Sequence, residues 1–223
     1  MRKINLKNRA LNNLAIAVGF FLIVAAAGHA PLRLSTSIYQ AEKCAAGNSG
    51  AVPPPPLRGK YCSLADFHQL ADNIRALRCG ISSQRATELA KYIWLAGTRF
   101  NCDPKLIAAL IQVESSFFSR ARSQKGAIGL MQLRPFVARE LASRLKTVWG
   151  GVQSLHNPEI NILMGTCYLA TLIRDFPDLS TALAAYNCGP SYVRRRLRRG
   201  QRLPTRYSVK IMTIYQSFTT NQS

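Results

Sequence analysis

Beyond Tyr61 the apolar residues of this chain recur at intervals of three and four, and no stretch alternates long enough to read as a strand between hairpin turns. That spacing lines one face of a helix. Leu64, Phe67, Leu70, Ile74 and Leu77 follow it behind Ser63, with Asp66 three residues on as a cap signature. Ala86, Leu89, Ala90, Ile93 and Trp94 repeat it. Asp103-Pro104 supplies an N-cap and a proline at the first helical position before the run Leu106 to Val113. Pro135 to Leu145, Pro158 to Ile173, Leu179 to Tyr186 and Pro204 to Phe218 complete the set, the last with Tyr207, Ile211 and Phe218 on one face. The expected fold class is all-α, with a short irregular hairpin or loop in the glycine-bearing stretch 123–133.

Charge and the N-terminal residues bound the compartment. Thirty Lys and Arg stand against ten Asp and Glu, which implies a polyanionic neighbour: nucleic acid, an anionic membrane face or an acidic wall polymer. Arg2, Lys3, Lys7 and Arg9 precede the apolar run Leu14 to Ala27, with small residues after it, the layout of an export signal. The run falls short of the roughly 20 residues that cross a bilayer, which favours a cleaved signal over a membrane anchor. Residues 1–30 are therefore expected to be a signal peptide or membrane anchor. Residues 31–60, with the four prolines Pro53 to Pro56, are expected to be a linker, and 61–223 the folded domain. Export to the periplasm or cell envelope argues against nucleic acid as a partner, and the run Arg194 to Arg202 has no interleaved aromatic residues to stack bases. A basic helical face against wall polymer or lipid is the expected role of that run. Cys44, Cys62, Cys79, Cys102, Cys167 and Cys188 fit an oxidising compartment in which all six could pair, with a free buried thiol as the alternative at Cys167. No zinc spacing occurs, and no metal or cofactor is expected.

One acid stands out because acids are so few. Glu114 comes about ten residues into the helix that begins at Pro104, among Leu110, Ile111 and Phe117, shortly before Ser115-Ser116 end it. Apolar neighbours desolvate a carboxylate and the negative end of the helix dipole disfavours a further negative charge, so both raise its pKa. A carboxyl group that keeps its proton near neutral pH can donate it to a leaving oxygen, as a general acid does in glycoside cleavage. A solvent-facing Glu on a polar helix face is the plainer alternative from position alone.

The surrounding blocks decide between the two. Gln112-Val113-Glu114-Ser115-Ser116-Phe117, then Ser123, then Gly126 to Leu133, then Asn157-Pro158-Glu159-Ile160-Asn161-Ile162 with Gly165 and Tyr168-Leu169, then Ala184-Ala185-Tyr186-Asn187-Cys188-Gly189-Pro190 closely resemble the soluble lytic transglycosylase catalytic domain. The likeness runs over roughly residues 100–218, in the family's order and spacing. It implies a lysozyme-like, all-α domain that cleaves the β-1,4 bond between N-acetylmuramic acid and N-acetylglucosamine in peptidoglycan. Glu114 matches the acid that protonates the glycosidic oxygen and then, as base, takes the proton from the muramyl 6-hydroxyl, leaving a 1,6-anhydro end. Ser123 and Gln132 match positions that hold the N-acetyl group and line the cleft, Tyr186 and Asn187 match the wall near the acid, and Met131 and Tyr168 belong to the same substrate-binding blocks. Phe118-Ser119 stand where the family often has Asn-Pro, Arg134 where it often has Met, and Cys188 where it often has Ala.

The residue chemistry agrees on its own terms. Most glycosidases need two carboxylates, and the blocks offer only Glu159 besides Glu114, at a helix start where an acid serves the dipole or cap. A substrate that supplies its own nucleophiles needs only one protein carboxyl. The rival readings are a goose-type lysozyme-like hydrolase of the same bond and a non-catalytic wall-binding protein. Ser143-Arg144-Leu145-Lys146 matches S-x-x-K, but S-D-N and K-T-G are absent, so it is a chance match. The expected partners are peptidoglycan glycan strands for a monomeric enzyme, with a secretion or conjugation apparatus and, through the N-terminal segment, the membrane as further candidates.

Overall fold

The computed structural model describes residues 63–78 and 80–220. The expected signal peptide or membrane anchor, the expected linker, and Cys44, Cys62 and Cys79 lie outside the described residues. Within them the chain forms α-helices, one 3-10 turn and isolated bridges in place of strands. None of these helices is long and apolar enough to cross a membrane.

The helix starts follow the local chemistry. Ser63 caps α1 (Leu64–Leu77), its Oγ accepting from the Asp66 N–H at 3.1 Å. Ser82 caps α2 (Ser83–Phe100) in the same way, accepting from the Arg85 N–H at 3.2 Å. A turn through left-handed Asn101 links α2 to α3 (Pro104–Ser115). Gly97 is needed beside that turn, because a Cβ would meet the Cys102 carbonyl oxygen at 2.7 Å. Asp103 caps α3 through the Lys105 N–H at 2.8 Å, and Pro104 takes the first position. Then come α4 (Pro135–Arg144), the 3-10 turn Val152–His156, α5 (Pro158–Asp175), α6 (Leu179–Cys188), α7 (Pro190–Arg198) and α8 (Arg206–Thr220).

Two helices organise the domain. Every residue of α3 from Pro104 to Ile111 is buried, as expected of a helix apolar on all sides, and α8, α2 and α1 pack around it. Burying Leu106, Ile107, Leu110 and Ile111 stabilises the fold by about 1.5–3 kcal/mol each. The Tyr215 hydroxyl donates to Asp103 Oδ2 at 2.5 Å, joining α8 to the start of α3. The second organising helix, α5, packs against α2, α4, α6 and the 3-10 turn. The end of α3 is thus held by core contacts on three sides, and α5 carries the walls built beyond it.

At three places the structure completes or corrects the sequence expectations. The stretch 123–133 is an irregular loop in which Ile128 bridges both Arg122 and Leu133, without a strand. The basic run is helical through Arg198: Gly189, at φ 88°, and Pro190 start α7, which ends before Gly200. Cys102, Cys167 and Cys188 are free thiols, so the expected disulfides do not form at these three positions.

Candidate active site

Glu114 is the penultimate residue of α3. Buried neighbours fix the backbone up to Ile111, and the helix then ends abruptly: Ser116 at φ 48° and Phe117 at φ 59° are both left-handed. Two successive non-glycine residues in that region cost energy that only surrounding contacts maintain. Those contacts are visible. Phe117 is buried in the main core, Ser115 Oγ donates to the Leu130 carbonyl at 2.8 Å, and an Arg78 guanidinium N–H donates to the Ser116 carbonyl at 3.1 Å. The turn leaves Phe118 on the surface with Arg78 above its ring.

The Glu114 carboxyl is half-buried, and burial raises its pKa above the ordinary value. Two groups of α8 pull it back: the Tyr207 hydroxyl donates a hydrogen bond to Oε1, and Lys210 adds a nearby positive charge. Burial wins. Tyr207 and Tyr186 are held well above the usual phenol range by burial and by the Glu114 charge, so both remain donors at any ordinary pH.

The loop after α3 hangs on a buried side chain. Asn161 of α5 has no exposure to solvent; its Oδ1 accepts from the Met131 N–H at 2.7 Å and its Nδ2 donates to the carbonyls of Ile128 and Leu155 at 3.0 and 2.9 Å. Gly129 lets the loop close on it, since a Cβ there would lie 2.2 Å from Asn161 Nδ2 and the residue has φ 80°. Ser123 forms the loop's tight turn, its Oγ accepting from the Ala127 N–H at 3.0 Å, which leaves its own hydroxyl proton to give. Gln132, at φ 48°, donates both Nε2 protons to the carbonyls of Ala121 and Gly129 at 3.3 and 2.9 Å. What it can offer a ligand is therefore its amide oxygen.

Beyond the loop lies a groove of about 660 Å³. Gln132, Tyr168, Tyr186 and Asn187, four of the residues expected to touch substrate, line it. Tyr186 donates to the Met131 carbonyl at 2.8 Å, and its ring leans on Tyr168 with centroids 5.3 Å apart. Glu114 and Ser123 are not on the groove wall. Glu114 accepts the Tyr207 hydrogen bond and is close enough to Tyr186 of the groove wall that its charge acts on both phenols. Met131 does not face the groove at all, contrary to the sequence expectation: its side chain is fully buried, packed so closely on Gly165 that a Cβ there would meet the sulfur at 2.4 Å. Only its backbone takes part. The sequence reading assigned Tyr207 to an apolar helix face and gave Asn161 no role. A tyrosine in a core stripe reveals a polar task only once its partner is known, whereas the single amide within Ile160-Asn161-Ile162 was the available signal for the second.

The all-helical domain is lysozyme-like in fold. The 70 kDa soluble lytic transglycosylase of Escherichia coli shares the fold, with a TM-score of 0.51 at 20% identity over 74% of this chain and 31% of that one. The chain matches the family described as Transglycosylase SLT domain over residues 91–209, more than half its length, and belongs to that family. A transglycosylase of Enterobacteria phage PRD1 is 38% identical over 97 residues, covering 44% of this chain and 33% of the phage protein. The endo-type membrane-bound lytic murein transglycosylase A of Klebsiella pneumoniae is 43% identical over 81 residues, 34% of this chain and 39% of that protein. The chain thus spans between 33% and 39% of the length of these curated relatives.

Proposed function

We propose that this chain is a peptidoglycan lytic transglycosylase that cuts the MurNAc-β-1,4-GlcNAc bond with Glu114 as its one protein acid and base. The observation that carries this reading is the setting of that carboxyl: half-buried, raised in pKa, hydrogen-bonded by Tyr207 and near enough to Tyr186 of the groove wall for its charge to act on that phenol. Glu114 gives its proton to the glycosidic oxygen as the C1–O bond breaks. The muramyl O6 then bonds to C1, and its proton passes to Glu114. Atoms balance without water, the product ends in 1,6-anhydroMurNAc, and the carboxyl is ready for another cycle.

The two acids of the groove wall among the described residues, Glu140 and Asp175, are paired with Arg144 and Arg194, which leaves Glu159 as the other candidate for a second acid. The charges that act on Glu159 are Lys91 and Glu88 of α2, whereas those on Glu114 come from α8, so the two acids belong to different neighbourhoods. The free Ser123 proton and the Gln132 amide oxygen suit the two ends of an N-acetyl group, and Tyr168, Tyr186 and Asn187 would bound the sugars. A chain with this substrate belongs in the cell envelope, in keeping with an export segment in residues 1–30 and a linker in 31–60 ahead of the catalytic domain. Digestion of purified sacculi followed by mass spectrometry tests the reaction. Anhydro-muramyl ends are expected; reducing-end muramic acid would establish hydrolysis by the same acid instead.

A further inference from the structure

Among the residues lining the groove are four arginines and two acids: Arg134, Arg144, Arg194 and Arg195 against Glu140 and Asp175. Both acids are occupied. Glu140 pairs with Arg144 at 2.8 Å, and Asp175 with Arg194 at 3.3 Å. Arg134 and Arg195 remain, and neither has a carboxylate partner among the described residues.

These two are placed rather than scattered. Arg134 lies over the Phe136 ring at 4.9 Å from its centroid, and Arg195 over Tyr192 at 5.7 Å. Stacking on an aromatic face steadies a guanidinium and leaves its N–H edge free for a planar anion. It also explains why Phe136 remains 62% exposed: the ring supports Arg134 instead of filling the core. The pairs come from two elements, the start of α4 and the middle of α7. Between them α5, which packs on both α4 and α6, contributes Tyr168 and Thr171. A concave surface carrying two unpaired cations concentrates positive potential, which neutral sugars do not need.

We propose that this end of the groove is an anionic subsite, in which Arg134 and Arg195 bind carboxylates of an acidic peptide substituent carried by the glycan strand. Two separate guanidiniums fit two carboxylates spaced along a flexible chain better than a single acid group. The subsite rests on the reading of the groove as a glycan site and makes strand preference a property of these two arginines.

The full chain would be assayed on peptide-bearing strands and on the same strands with their peptides removed and the freed muramyl lactyl carboxyls capped as amides. Wild type is expected to prefer the peptide-bearing strand. In R134Q/R195Q the ratio of kcat/KM values for the two strands should fall about tenfold, mainly through KM, as the loss of charge-assisted hydrogen bonds requires. R134K/R195K should recover part of the preference. An unchanged ratio would overturn the proposal, as would an equal fall in R198Q/R199Q, whose arginines lie outside the groove lining and would report net charge alone. A second arm titrates a free glutamate-containing pentapeptide into the protein and follows amide chemical shifts. Binding that weakens with salt and is lost in R134Q/R195Q supports the subsite; no binding to wild type contradicts it. If wild type cuts neither strand, the transglycosylase reading fails, and the peptide titration still decides the subsite.

Discussion

Among the described residues two glutamates are buried enough for their pKa values to rise, and their surroundings differ. Glu159 sits in the first turn of α5, where its N–H is used by the Asn157 cap at 2.9 Å and its carboxyl faces Lys91 and Glu88 of α2. A helix start favours its charge, and the neighbouring lysine shares it. Glu114 sits at the other end of a helix, where the dipole opposes ionisation, and its neighbours are tyrosines that remain protonated. A raised pKa is common to both. What sets Glu114 apart is its closeness to Tyr186 of the groove wall and the Tyr207 hydrogen bond that aims it.

Replacing each glutamate in turn should break this comparison most visibly. Glu114→Gln is expected to lower kcat on peptidoglycan by about 10²–10⁴-fold, the usual contribution of a positioned general acid, as measured by release of soluble muropeptides. The same variant should gain stability above neutral pH. Glu114 has a folded-state pKa above its unfolded value, so its ionised form opposes folding; that cost is absent below the unfolded pKa and complete once pH exceeds the folded one. The Tm advantage of Glu114→Gln should therefore vanish in acid and grow as pH rises.

Next in size is the loop that faces Glu114. Asn161→Ala removes three hydrogen bonds from a buried site and should cost about 2–4 kcal/mol in urea unfolding, with a loss of activity as the Gln132 segment loosens. Tyr207→Phe sharpens the contrast more gently. It deletes a hydrogen bond that lowers the Glu114 pKa, so the alkaline limb of kcat/KM against pH should move to higher pH, and Lys210→Gln should move it the same way. Glu159→Gln is the smallest: stability within about 0.5 kcal/mol of wild type, and no displacement of that limb.

The features readable from sequence were those whose causes are local. Ser63 with Asp66, and Asp103 with Pro104, place helix starts through atoms a few residues apart, and the three-and-four spacing of apolar residues foretells both the all-α class and the buried face of α3. The left-handed step at Gly189 that frees α7 from its neighbours is also a local event, but glycine there fits a continuing loop equally well. The missing parts depend on distant contacts. Tyr207 meets Glu114 across 93 positions, and Asn161 reaches Met131 across 30, pairings that no periodicity encodes. Met131 illustrates the opposite error: it stands next to groove-lining Gln132 in sequence, yet Gly165 opens a buried space for its side chain, and the tertiary fold decided the direction.

The most direct test of Glu114 as the held acid is its own titration, followed by carbon-13 NMR of the labelled carboxyl alongside the pH dependence of kcat/KM. The expected result is a midpoint above the ordinary glutamate value of roughly 4.3 that moves upward in Tyr207→Phe together with the alkaline limb of the rate. A midpoint at or below that value, or a rate limb that ignores the Tyr207 substitution, would contradict it.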